Sequence, residues 1–278
     1  MSGLEGKVAI VSGAARHRGI GRAIAVELAD RGADVVAVGS PRPPESYPDD
    51  EKALAWDGVR SVAEEVRRLG RRALAIDADL TQRAEADRIV EETVRTLGRI
   101  DILVNNAGLG YCGEKNLWEI EDREWYEVID VNLNGVYLLT SGVLRRMVEA
   151  KRGGRIVNIS STAGRMGIPQ YGAYCATKSG IIGLTQMLAL EAAPHQITVN
   201  CVAPGSVDTD MMDGTFARMA ARFGAQPDAV KQAALRTIPL GRQGRPADIA
   251  AAVAFFASHE ASWITGQTLN VNGGTPMD

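Results

Sequence analysis

Short, unbroken apolar runs alternate with segments of helical length along the whole chain, a rhythm that few architectures accommodate. Val8-Ala9-Ile10-Val11 and Val35-Val36-Ala37-Val38 carry no polar residue at every second position, so each must be buried on both faces. Strands are predicted at Lys7 to Ser12, Asp34 to Val38, Arg72 to Ala78, Ile102 to Asn105, Arg155 to Ile159, Thr198 to Val202 and Thr268 to Val271. Helical patterns fill the gaps at Gly21 to Arg31, Ala84 to Leu97, Asp122 to Ala150, Gly172 to Ala193 and Pro246 to Ser258. The order predicts an α/β fold, a doubly wound parallel sheet of about seven strands with helices on both faces, in a single domain over residues 1–278.

Two segments interrupt this rhythm. Residues 40–50, rich in Pro and acidic residues, read as a surface insertion after the second strand. Residues 206–239 hold Met211, Met212, Phe216, Met219 and Phe223 and follow a strand's carboxyl end, where open α/β sheets bind ligands. This second segment is expected to cap the substrate. The lack of charged clusters near Met211 and Met212 points to a hydrophobic ketone or secondary alcohol.

Composition narrows the function classes. The 31 basic and 34 acidic residues leave a net charge of −3, without the basic excess that binds nucleic acid or anionic membranes. No apolar run reaches membrane-spanning length and no secretory leader opens the chain, so a cytoplasmic location is expected. Cys112, Cys175 and Cys201, like His17, His195 and His259, lack metal-ligand spacing, and no metal is expected.

The first strand runs into Ser12-Gly13-Ala14-Ala15-Arg16-His17-Arg18-Gly19-Ile20-Gly21 and then a helix. Glycines between strand and helix let the main chain approach a pyrophosphate, whose charge is favoured at the helix N-terminus. The loop resembles the Thr-Gly-x-x-x-Gly-x-Gly turn of the short-chain dehydrogenase/reductase family, a Rossmann-like fold. It departs from that turn in having Ser12 for Thr and five residues rather than three between Gly13 and Gly19. The resemblance covers nearly the whole chain. It implies that Gly13, Arg18, Gly19, Ile20 and Gly21 hold a dinucleotide, with Asp79 and Leu80 at the adenine. It also implies that Asn106, Ala107 and Gly108 lie beside the ribose, and that Pro204, Gly205, Val207 and Thr209 lie at the nicotinamide.

An acid closing the second strand would bind the ribose of NAD and repel the extra phosphate of NADP. Gly39 stands there, with Ser40, Arg42 and Arg18 as phosphate donors, so NADP is favoured over NAD. The opposing reading has residues 46–50 fold back to supply an acid.

Tyr174 and Lys178, four apart in a predicted helix, share one face. Bringing a phenol from about 10 to about 7 takes roughly 4 kcal/mol, within reach of a close ammonium in a partly desolvated pocket. Tyr171 is a poorer candidate because Cys175 stands four residues on. The resemblance makes Ser161, not Ser160, the substrate-orienting serine, and Asn132 rather than Asn134 the residue linking the lysine to solvent through a water. It thus implies an NAD(P)-dependent oxidoreductase in which Tyr174 exchanges a proton with a carbonyl or alcohol oxygen while hydride moves to or from the nicotinamide. Homotetramers built through the long helices are implied as well. Two rivals are an NAD-dependent alcohol dehydrogenase with tightly held cofactor and a dinucleotide-binding protein without turnover.

Overall fold

The computed structural model describes residues 3–110 and 115–276, so Cys112 lies outside the described residues. Seven parallel strands form one sheet in the order β3-β2-β1-β4-β5-β6-β7. They are β1 (Val8–Ser12), β2 (Asp34–Gly39), β3 (Ala73–Asp77), β4 (Ile102–Asn105), β5 (Gly154–Ile159), β6 (Ile197–Pro204) and β7 (Thr268–Val271). All seven predicted strands are present, and only their ends differ. The helices are α1 (Ile20–Asp30), α2 (Asp49–Ala53), α3 (Gly58–Arg68), α4 (Arg83–Leu97), α5 (Asp122–Ile129), α6 (Gly135–Ala150), α7 (Gly172–Ala192), α8 (Asp210–Phe223), α9 (Pro227–Arg236) and α10 (Pro246–Ala257).

Period-two geometry sends successive strand side chains to opposite faces, and each face has its own core. Ala9, Val11, Val35 and Val104 meet Leu28 of α1, Val62 of α3 and Val253 of α10. Val8, Ile10, Val36 and Leu103 meet Ile89 of α4, Leu139 of α6 and Leu188 of α7. A polar ladder crosses the interior where β4, β5 and α7 meet. Asn105 Nδ2 donates to Asn158 Oδ1 and to Thr140 Oγ1, both at 2.8 Å, and Asn158 Nδ2 donates to Thr185 Oγ1 at 2.9 Å.

The structure departs from the sequence reading in several elements, and the segment 206–239 contains two helices, α8 and α9, that are absent from the prediction. The predicted helix Asp122 to Ala150 is broken by a π-helical turn, Asp130–Asn134, between α5 and α6. The insertion is more than a surface loop. After the exposed Ser40 and Arg42 it forms α2, whose Glu51 is fully buried, and leads into α3, a helix absent from the prediction. The sheet reverses direction of winding between β1 and β4, and the crevice at their carboxyl ends is where this architecture places a ligand.

Candidate active site

The glycine loop forms a close-fitting cradle. Gly13 has φ +66°, and a Cβ there would lie 2.6 Å from the Ala107 Cα, so the turn after β1 and the turn after β4 touch through main chain. Asn106 locks them together: its Nδ2 donates to the carbonyls of Ser12 and Gly13, while Ser12 Oγ accepts from the amides of Asn106 and Ala107. Helix α1 has no side-chain cap and no acid in its first turn, so its leading N–H groups remain for an anion. The predicted Gly13, Gly19, Ile20, Gly21, Asn106, Ala107 and Gly108 are brought together here, and the cradle fits a pyrophosphate.

The other predicted cofactor residues follow the carboxyl ends of β3 and β6. Asp79, just past β3, accepts from the Thr81 amide at 2.9 Å and hydroxyl at 2.8 Å, and Leu80 is buried beside it. Gly205 closes β6 by donating its amide to Val271, and Val207 is buried. Thr209 caps α8, accepting from the Met212 amide. Pro204 is the last residue of β6. Gly39 has a steric reason to lack a side chain: a Cβ would lie 2.7 Å from Ala15 Cβ and 2.9 Å from Val59 Cγ1.

The five-residue spacer in the loop is taken up by contacts that the sequence did not disclose. Arg16 donates from Nε to Glu51 Oε1 at 3.0 Å, and the His17 amide donates to the same oxygen at 2.8 Å. Trp56 Nε1 donates to the Ala15 carbonyl at 2.8 Å, and its ring meets the edge of His17. Arg18, expected at the cofactor's second phosphate, instead donates to Asp208 at 3.0 Å, Asp210 at 3.2 Å and Asp213 at 2.8 Å. A charged cluster therefore does flank Met211 and Met212, against the expectation. Its acids, Asp208, Asp210 and Asp213, stand in the local sequence, while Arg16 and Arg18, which pair with them, come from some 190 positions earlier in the chain.

At the reacting centre, β5 delivers Ser160 and Ser161 to the crevice. Ser160 Oγ donates to the Lys178 carbonyl at 2.8 Å and is spent on structure. Ser161 Oγ accepts from the Ala163 amide at 3.1 Å, which leaves its proton to be donated. Tyr174 and Lys178 lie on the first turns of α7, with Lys178 Nζ 5.5 Å from the centroid of the phenol ring. Lys178 is buried and donates to the Ile159 carbonyl at 2.9 Å. Burial pushes its pKa down to about 8, opposed by Cys201 nearby.

The π-helical turn turns Asn132 inward, fully buried. Its Oδ1 accepts from the Leu109 amide at 2.7 Å and its Nδ2 donates to the Leu109 carbonyl at 3.0 Å. Both Asn132 Oδ1 and Lys178 Nζ lie within 4 Å of where a Cβ on Gly108 would stand. Asn134, by contrast, bonds Asp130 on the surface side of the same turn. Asn132, Tyr174 and Lys178 are thus brought together beside Gly108, and Ser161 follows the strand end that is bonded to Lys178.

Residues 13–276 match the family described as enoyl-(acyl carrier protein) reductase. The chain is 39% identical over 271 residues to the 3-oxoacyl-[acyl-carrier-protein] reductase FabG of Haemophilus influenzae, covering 98% of each. The chain belongs to the short-chain dehydrogenase/reductase family. Like its relatives in that family, it is an NAD(P)-dependent oxidoreductase acting on alcohol and carbonyl carbons. Levodione reductase superposes with a TM-score of 0.87 at 28% identity over 98% of both chains. Carveol dehydrogenase from Mycobacterium avium, in complex with NAD, superposes at 0.85 with 36% identity over 99% of both.

Proposed function

We propose that this dehydrogenase/reductase reduces a hydrophobic ketone of the 3-oxoacyl type with NADPH, using Ser161 and Tyr174 to bind the carbonyl oxygen. The observation that carries this reading is the tie between the end of β5 and the first turns of α7. There Ser160 Oγ donates to the Lys178 carbonyl and Lys178 Nζ to the Ile159 carbonyl, so that the adjoining Ser161 follows directly on the strand end bound to the Tyr174–Lys178 turn. The bound dinucleotide supplies the hydride. Ser161 donates to the substrate oxygen and holds it, and Tyr174 releases its proton to that oxygen as negative charge develops there. The Lys178 ammonium stabilises the phenolate left behind. Asn132, fixed by the main chain of Leu109, holds the path by which that proton is restored.

Support for NADPH comes from the bare Gly39 and the exposed Ser40 and Arg42 beyond it. A second reading, alcohol oxidation with NAD, is favoured by Glu51, a buried carboxylate that folds back against the loop. Relative affinities separate them: NADPH should bind at least as tightly as NADH, and tighter NADH binding would select the second. We also infer assembly as a homotetramer through α5, α6 and α7, which expose Tyr126, Tyr137 and Leu190. Among the described residues no helix is long and apolar enough to cross a membrane. Purified protein should consume NADPH, followed by absorbance, when given 3-oxoacyl thioesters within a panel of ketones. Absence of turnover with every member, with dinucleotide bound, would leave a binding protein.

A further inference from the structure

The lengthened glycine loop and the insertion after β2 meet at one side chain. Arg16 lies between Glu51 of α2 and Asp210, the first residue of α8: it donates to the former at 3.0 Å and to the latter, from Nη2, at 2.7 Å. Glu51 also accepts the His17 amide, so the insertion contacts both the loop and its guanidinium. Arg18 reinforces the same junction through Asp208, Asp210 and Asp213, and Lys231 of α9 stands 3.9 Å from Asp208 and 4.0 Å from Asp213. Further along, α8 is seated on the other wall of the crevice. Arg218 Nη2 donates to the Gly110 carbonyl at 2.7 Å, two residues past the Gly108 that adjoins Asn132 and Lys178.

We propose that Arg16 and Asp210 are positioning residues that couple occupancy of the dinucleotide cradle to seating of the α8 cap over the substrate. The inference rests on the proposed reaction for the identity of the ligands. Physically, a pyrophosphate held by the loop amides fixes residues 14–19, and a fixed Arg16 loses less freedom on pairing with Asp210. Seating α8 then favours dinucleotide binding by the same factor, since such coupling is reciprocal.

Amide hydrogen exchange across residues 210–223, with and without saturating NADPH, tests this without turnover. In the wild type NADPH should slow exchange in α8 by about tenfold, an ordinary size for coupling between sites. Asp210→Asn, isosteric but uncharged, should abolish most of that response, and Asp210→Glu should retain it. Asp213→Asn also removes a carboxylate from the first turn of α8, but leaves the bond to Arg16 intact and should keep most of the response. Arg16→Gln should resemble Asp210→Asn, and the double variant should be no worse than Asp210→Asn alone. In turnover, Asp210→Asn should raise KM for the ketone with kcat nearly unchanged. Equal protection of α8 in wild type and Asp210→Asn would overturn the proposal. So would faster exchange on adding NADPH, or an equal loss of response in Asp213→Asn. Failure to reduce any ketone would count against the proposed reaction alone.

Discussion

One helical turn separates Tyr174 from Lys178, yet the two groups are set differently: the phenol is half-buried at the crevice and the ammonium is enclosed. Enclosure weakens the hold of Lys178 on its proton, from its ordinary 10.5 to about 8. The charged form remains dominant at neutrality and is lost as pH rises through that value. Reduction should therefore fall above about pH 8 on the alkaline limb of the kcat/KM profile, and a rate level to pH 10 would contradict the role given to Lys178. Stability moves the other way. The folded state binds this proton less well than the unfolded chain, so the cost of burying the ammonium is full below pH 8 and lessens between about 8 and 10.5. At this scale the roles proposed for Tyr174, Lys178, Ser161 and Asn132 rest on the motif, because that chemistry calls for particular residue types at particular spacings. Glu51 was not legible, since nothing local distinguishes a buried partner of Arg16 from its exposed acidic neighbours Asp49 and Asp50.

Elements were legible where burial on both faces leaves a continuous apolar run, which is why all seven strands were placed and only their ends shifted. The π-helical turn was not legible: it adds one residue to a helical turn without breaking the apolar pattern on either side, yet it aims Asn132 inward. Helix α2 is too short to show periodicity and is held by Glu51 and its partners across the chain rather than by propensity. The ladder joining β4, β5 and α7 is a further feature of tertiary origin. Asn158→Ala would remove the acceptor of Asn105 and the donor to Thr185 inside the core. It should cost about 1–3 kcal/mol, read as a lower denaturant midpoint at unchanged slope. A midpoint equal to that of the wild type would show the ladder to be dispensable.

For the whole molecule, the dinucleotide is proposed to sit at the reversal of the sheet, with Ser161 just past β5 and Tyr174 and Lys178 on α7 beside it, and α8 over the opening. Assembly belongs to this scale too. If α5, α6 and α7 form the subunit contacts, light scattering should give four times the 29.7 kDa chain mass, and Leu190→Arg on the exposed side of α7 should lower it. A wild type that stays monomeric at micromolar concentration would refute that interface. The central claim concerns chemistry, and a single-turnover measurement tests it most directly. NADPH-loaded protein is mixed with a 3-oxoacyl thioester and the loss of reduced nicotinamide is followed in wild type and Tyr174→Phe. The phenylalanine variant should bind NADPH within about threefold of the wild type while its chemical step slows at least 10²-fold, the low end for a positioned acid. Hydride transfer at nearly the wild-type rate in that variant would contradict the account.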